Sequence, residues 1–253
     1  MLEAIALTKH YAGLPAVEGV SFSLRAGQVL GCLGPNGSGK STTVKMLIGL
    51  LEPTRGQVLF RGEDIHRDLA AYRRLLGYVP EEANLYPYLT GWEYLELVGT
   101  LRGMARAELE RKSHEMLELL AMHPFRHAAI GSYSKGMRQR ILLIAAILHG
   151  PEVLVLDEPL SGLDVISAQV IKSLIAEFGK RAKAVFYCSH VLEVVEKVCS
   201  HLLILRQGKT VAYDSMAGLQ QTLGHESLER RFAHLVEETD TERIAQSLVA
   251  AMG

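Results

Sequence analysis

No apolar stretch in this 253-residue chain approaches the length of a membrane span. The longest uninterrupted run, residues 141–148, falls far short of the roughly 20 residues that cross a bilayer as a helix. Cysteine is scarce as well. Cys32, Cys188 and Cys199 are odd in number, far apart and set among apolar neighbours, which suits reduced core thiols better than a disulfide framework or a thiolate metal site. Net charge is nearly absent: 27 basic residues face 28 acidic ones, so there is no global electrostatic footprint for nucleic acid or an anionic bilayer surface. The opening Met1-Leu2-Glu3-Ala4 lacks the basic segment and following apolar segment of a secretory signal. A cytosolic location is the expectation.

What is present is a globular composition, 48% hydrophobic and 22% charged, sufficient for a substantial core. Residues 2–9, 19–25 and 28–33 read as short strands separated by turn signals, the last running straight into a glycine-rich loop. Val44, Leu47, Ile48 and Leu51 then fall at helical spacing. Strands are expected at 57–60 and 76–79. From Thr90 to about Gly150 the pattern is helical, opened by Thr90-Gly91-Trp92-Glu93, which has the form of a capping box. Apolar strands at 152–156, 184–188 and 201–205, with a helix near 166–178, imply a parallel sheet covered on both faces. After Asp214 the text turns to charged helix at 227–236 and 241–252, without further strands. The expected fold is therefore α/β: a mainly parallel sheet preceded by short N-terminal strands, a helical subdomain inserted at about 88–150, and a short C-terminal helical appendage. The expected division is 1–215 for the main domain and 216–253 for the appendage.

Two motifs carry chemistry on their residues alone. Gly34-Pro35-Asn36-Gly37-Ser38-Gly39-Lys40-Ser41 matches G-x-x-x-x-G-K-[ST] between a strand and a helix. In such a loop the backbone N–H groups turn inward around phosphates, Lys40 reaches the terminal phosphates, and the Ser41 hydroxyl can ligate Mg²⁺. Thr42, the next residue, joins the nucleotide-binding set. The second motif, Val153-Leu154-Val155-Leu156-Asp157-Glu158-Pro159, is an apolar strand ending in two acids. Asp157 is placed to hold Mg²⁺, and Glu158 to orient and deprotonate a water attacking the γ-phosphate. A solvated strand edge is the bland alternative for the pair, and proximity to a phosphate loop disfavours it.

With these motifs read, residues 1–215 resemble the ATP-binding cassette family, which implies an α/β fold with a P-loop NTPase core, a mainly parallel sheet and an antiparallel β subdomain at the N-terminus. The string Tyr133-Ser134-Lys135-Gly136-Met137-Arg138-Gln139-Arg140 is similar to its signature sequence, and Ser161-Gly162-Leu163-Asp164 to its D-loop. His190 matches its switch histidine and Tyr11 the aromatic that stacks on adenine. The resemblance implies ATP and Mg²⁺ as ligands and ATP hydrolysis as the activity. It also implies a dimer, either a homodimer or a pairing with another cassette subunit, in which Ser134, Lys135, Gly136 and Asp164 act on ATP held by the opposing subunit. Integral membrane transporter subunits would be the further partners, with the chain peripheral on the inner face of the cell membrane and no role for nucleic acid. The Tyr133–Met137 string is similar to ABC-2 exporters. Ser134 and Asp164 could also be plain helix caps, and Tyr11 plain core.

Two positions depart from the family pattern. Glu81 stands where a glutamine is usual and would give Mg²⁺ a charged oxygen ligand; Lys135 stands at the first glycine of the signature. Tyr86, Tyr88 and Trp92 form an aromatic cluster beyond Glu81, expected either to meet the membrane subunit or to belong to the helical core. A soluble cassette without a membrane partner would resemble two fused cassettes or carry a long coiled-coil insertion, and 253 residues leave room for neither. A guanine-specific switch would need an N-K-x-D string, and the chain's asparagines, Asn36 and Asn84, are not followed by lysine.

Overall fold

The computed structural model describes residues 1–161, 163–223 and 249–252. The chain opens with an antiparallel pair, β1 (Leu2–Tyr11) and β2 (Leu14–Leu24). It then enters β3 (Val29–Leu33), the glycine-rich loop and α1 (Lys40–Leu47). β4 (Arg55–Phe60), the two-residue β5 (Glu63–Asp64), α2 (Leu69–Arg74) and β6 (Leu76–Val79) follow. Three helices come next: α3 (Gly91–Leu101), α4 (Arg106–Leu119) and α5 (Lys135–Ile147), with 3₁₀ turns at His123–Phe125 and Ile130–Ser132. The remainder alternates: β7 (Val153–Asp157), α6 (Val165–Lys180), β8 (Ala184–Cys188), α7 (Leu192–Val198), β9 (His201–Arg206), β10 (Lys209–Ser215) and α8 (Met216–Leu223).

Two sheets result. The first has order β2-β1-β4-β5 and is antiparallel throughout. The second has order β10-β9-β3-β8-β7-β6, parallel from β9 to β6 with β10 antiparallel at one edge. β3, β7 and β8 are buried at every residue, as continuous apolar runs require when both faces are covered. Their alternate residues serve two cores. Leu30, Cys32, Val153, Val155, Phe186 and Cys188 face α1 and the antiparallel sheet, while Leu33, Leu154, Leu156, Val185 and Tyr187 face α5, α6 and α7. A third core, built on Leu95, Leu109, Leu117, Ile130 and Tyr133, belongs to the helical insertion.

Helix α5 belongs to two of these cores at once. Leu142, Leu143 and Ala146 pack on the sheet, and Ile141, Ile144, Ala145 and Leu148 pack on α3 and α4. This double burial accounts for the long apolar run in the sequence. The capping box holds as expected: Thr90 Oγ1 accepts from Glu93 N at 3.1 Å, and Glu93 Oε2 accepts from Thr90 N at 2.8 Å.

Several expectations need correction. The second strand begins at Leu14 rather than residue 19, because Ala12 and Gly13 make a tight turn that pairs Tyr11 with Leu14. A strand absent from the sequence reading, β10, runs to Ser215. Its residues alternate poorly in polarity because it is an exposed edge paired on one side only. The short elements β5, α2 and α7 also escaped notice, having too few residues to show a period. The helices expected at 227–236 and 241–252 lie outside the described residues except for 249–252. Among the described residues no helix is long and apolar enough to cross a membrane.

Gly77 of β6 lies so close to α5 that an added Cβ would stand 2.3 Å from the Ala146 carbonyl oxygen. A backbone atom cannot step aside as a side chain can. Gly77→Ala is therefore expected to destabilise the protein by about 1–3 kcal/mol, read as a lower denaturation midpoint with an unchanged denaturant slope.

Candidate nucleotide site

Most of the cavity's lining hangs on the C-terminal ends of β3, β6, β7 and β8, where an open parallel sheet presents its crevice. The loop after β3 turns at Ser38, whose N–H donates to Pro35 O at 3.1 Å. Gly39 then caps α1 with φ +100°, and a Cβ there would meet Ala16 O at 2.7 Å, so only glycine fits. Lys40 is buried at the start of the helix, and its Nζ donates to Gly34 O at 2.6 Å and Pro35 O at 3.1 Å. Held this way, the ammonium curls under its own loop.

One cavity of about 570 Å³ gathers most of the residues picked out from sequence. Asn36, Gly37, Gly39, Lys40, Ser41 and Thr42 line it from the loop and α1, Glu81 from the segment after β6, Asp157 and Glu158 from the end of β7, and His190 from beyond β8. Ala16 of β2 also lines it. The sequence reading missed Ala16, since the strand carrying it was expected to begin later. Gly34 and Ser38 are not among the lining residues: Gly34 offers its carbonyl to Lys40, and Ser38 is buried beneath the loop.

The cavity is acidic. Burial pushes the Asp157 carboxyl up to about 6, and the neighbouring charges of Glu81 and Glu158 add to the effect against Lys40 and Lys45. Glu158 and His190 form a second feature: His190 Nδ1 lies 2.8 Å from Glu158 Oε1. Because a carboxylate only accepts, Nδ1 carries the proton and Nε2 is left for another partner. The Glu158 side chain is 12% exposed and that of His190 66%, so the histidine forms the outer rim.

A divalent hard cation fits this chemistry. The donors are oxygens, the Ser41 hydroxyl with the Asp157 and Glu81 carboxylates, and the negative charge that adds to the effect of burial on Asp157 is what a cation would relieve. Among the described residues no three His, Cys, Asp or Glu side chains converge into a metal cage. Mg²⁺ in general takes one or two protein carboxylates and completes its shell with water and substrate phosphate.

The remaining predicted residues lie elsewhere. Tyr11, 47% exposed at the end of β1, is not among those lining the cavity, and Lys9 Nζ stands 6.0 Å from its ring centroid. Ser134 is the N-cap of α5, its Oγ accepting from Met137 N at 3.2 Å, and Lys135 Nζ reaches Ser161 Oγ at 3.3 Å. Asp164 caps α6, accepting from Ser167 N at 2.9 Å and Ser167 Oγ at 2.7 Å, which holds its carboxyl below the usual range. Ser134, Lys135, Gly136 and Asp164 are all absent from the lining of the cavity. Ser134 and Asp164 are thus both helix caps, which for Ser134 is compatible with a phosphate contact. Tyr88 is 94% exposed, whereas Trp92 is half-buried against the helical core, its ring centroid 4.6 Å from that of His114.

A parallel sheet, a glycine-rich loop opening a helix, and paired acids at a neighbouring strand end define a nucleotide-binding protein of the P-loop NTPase class. The comparisons with known proteins narrow the class. The family model described as ABC transporter matches residues 17–161, and the chain belongs to that family, as its ATP-binding and ATP-hydrolysing cassette. It is 36% identical over 228 residues to the linearmycin resistance ATP-binding protein LnrL of Bacillus subtilis, covering 90% of this chain and 73% of that one. Among solved structures, an ATP binding subunit of an ABC transporter superposes with a TM-score of 0.88 at 30% identity, covering 93% of this chain and 99% of the other. The dimeric bacterial ABC transporter cassette MJ0796 gives a TM-score of 0.79 at 25% identity, with 85% and 99% covered.

The charge imbalance has a measurable consequence in nucleotide-free protein with divalent cations chelated. A carboxyl raised from an ordinary 3.8 to about 6 in the folded state favours folding fully below pH 3.8, and that contribution is lost as pH rises through 6. Asp157→Asn removes the loss and is expected to be more stable than wild type at pH 8, by on the order of 2–3 kcal/mol. The difference shrinks toward zero near pH 4, and thermal unfolding at the two pH values checks it.

Proposed function

We propose that this chain binds Mg²⁺·ATP between two cassettes and hydrolyses it to drive separate integral membrane subunits, in the direction of export. The observation that carries the reading is the single cavity uniting the phosphate loop with Glu81, Asp157, Glu158 and His190. Glu158 takes the role of general base, orienting the attacking water and accepting its proton, and His190, hydrogen-bonded through Nδ1, steadies that carboxylate and turns Nε2 toward the γ-phosphate. Lys40 exchanges its two carbonyl acceptors for phosphate oxygens, and the loop amides of Asn36, Gly37 and Gly39, residues that line the cavity, supply further donors with the helix N-terminus behind them. Mg²⁺, when bound, neutralises charge developing on the phosphates; Ser41, Asp157 and Glu81 are the residues that would hold it. Tyr11 stacks on the adenine from its exposed position at the end of β1.

The second cassette enters because Ser134, Lys135, Gly136 and Asp164 stand outside their own cavity. Facing the nucleotide of a second copy, or of a paired cassette subunit, they complete a site that one chain leaves half-built, and the dimeric form of MJ0796 supports the arrangement. In this reading 1–215 is the ATPase domain, with the helical insertion at about 88–150, and 216–253 is an appendage. The exposed rings of Tyr86 and Tyr88 meet the membrane subunit, placing the protein on the cytoplasmic face of the membrane. The signature string and the resistance role of the relative LnrL favour export.

Glu158→Gln is expected to retain ATP binding and lose roughly 10² to 10⁴-fold in turnover, the usual worth of a general base. Near-normal turnover would remove Glu158 from its role. The two-copy site has a separate test in which Ser134→Arg and Lys40→Ala proteins, each inactive alone, are mixed. Recovery of ATPase activity is expected, since the mixed dimer keeps one site with both functional halves, and a mixture that stays inactive counts against that site.

A further inference from the structure

Glu158 holds a backbone conformation that its own sequence opposes. Its φ is +46°, in the left-handed region that residues with a side chain avoid, and the proline that follows steers its predecessor toward extended geometry. Strain of this kind persists only where the surroundings over-determine it. Two main-chain bonds contribute. Glu158 N donates to Cys188 O at 3.0 Å, and Ser161 N donates to Glu158 O at 3.1 Å, closing a turn with Pro159 in the second position where proline is favoured.

The third restraint comes from the helical insertion. Gln139 of α5, only 3% exposed, donates from Nε2 to the Pro159 carbonyl at 3.3 Å. Its amide orientation follows from chemistry, since the opposite one would set two acceptor oxygens against each other. The adjacent residue repeats the arrangement further along: Arg140 Nη2 donates to Ser167 Oγ at 2.8 Å and lies 3.3 Å from Asp164 Oδ2. Consecutive residues of one helix therefore hold both ends of the segment that starts at the catalytic carboxylate.

We propose that Gln139 is a positioning residue for ATP hydrolysis, tethering the Pro159 carbonyl so that the strained turn aims the Glu158 carboxylate into the nucleotide cavity. The inference rests on the reading of Glu158 as the general base. Gln139 is not among the residues lining the cavity and its hydrogen bond goes to the turn, so its effect belongs to kcat and not to nucleotide affinity.

The experiment is a double-mutant cycle between positions 139 and 158, read by steady-state ATPase kinetics, nucleotide titration and thermal unfolding. Gln139→Met keeps the length and helix preference of the side chain and removes the donor. It is expected to lower kcat at least tenfold with ATP affinity unchanged, and to cause no further loss in a Glu158→Gln background. Gln139→Asn, which keeps a donor on a stem one methylene shorter, is expected to fall between wild type and Met, and it carries the test if the Met variant fails to fold. Wild-type kcat in the substituted proteins overturns the proposal, and so does an equal loss in both backgrounds or a loss confined to ATP affinity. If Glu158→Gln itself keeps normal turnover, the general-base reading falls and this inference with it; a normal Gln139→Met beside an inactive Glu158→Gln overturns the inference alone.

Discussion

The concentration of negative charge at the end of a dry sheet is the constraint from which most of this structure follows. Glu81, Asp157 and Glu158 reach one cavity from the ends of adjacent strands, and the Asp157 carboxyl is raised because water cannot screen it and the other two repel its charge. Such an arrangement is unfavourable in the empty protein and favourable only when cations and donors are brought to it. Lys40 and the phosphate loop line the same cavity, so a polyanion with its own divalent cation balances the cationic and the anionic groups at once. Sites that store an imbalance of this sort are typical of function rather than of stability.

Helix α5 is the second element on which the arrangement turns. With apolar residues toward the sheet on one side and toward α3 and α4 on the other, it has no free face along most of its length and moves only with one of its neighbours. Its first turn carries Ser134, Lys135 and Gly136; its second carries Gln139 and Arg140, which grip the backbone after β7. The end of the helix that would meet a second subunit and the carboxylate that would act on water are thus joined by about two turns of one rigid helix.

Much of this was legible in the sequence because its signals are local. The phosphate loop is a contiguous string with strand before and helix after, β6 and β8 appear with the bounds expected, and the capping box at Thr90 and Glu93 is realised atom for atom. The assembly of Glu81 and His190 with the loop followed from the family resemblance, not from spacing, since about 110 residues of chain separate them. What was not legible depends on contacts remote in sequence. Ala16 enters the cavity only because β2 starts early and passes the phosphate loop, and β10 shows no alternation because it is exposed along an edge. Glu158's positive φ left no trace either: glutamate before proline reads as extended chain until the turn that contains it is seen. The same holds for Gln139, which within the signature string looked like one polar residue among several.

The two outer strands of the larger sheet bear on how the protein avoids its own copies where contact is unwanted. An unpaired strand edge is a template for another strand, and folded proteins guard such edges. β6 is four residues long and stops at Pro80, which has no N–H to offer a neighbour. At the other edge, β10 is overlaid by β2 through Tyr213, whose hydroxyl donates to Ser23 O at 2.7 Å and accepts from Ser23 N at 3.1 Å. Strand-by-strand pairing with another chain is opposed at both borders by different means, which leaves any association to surfaces made of side chains.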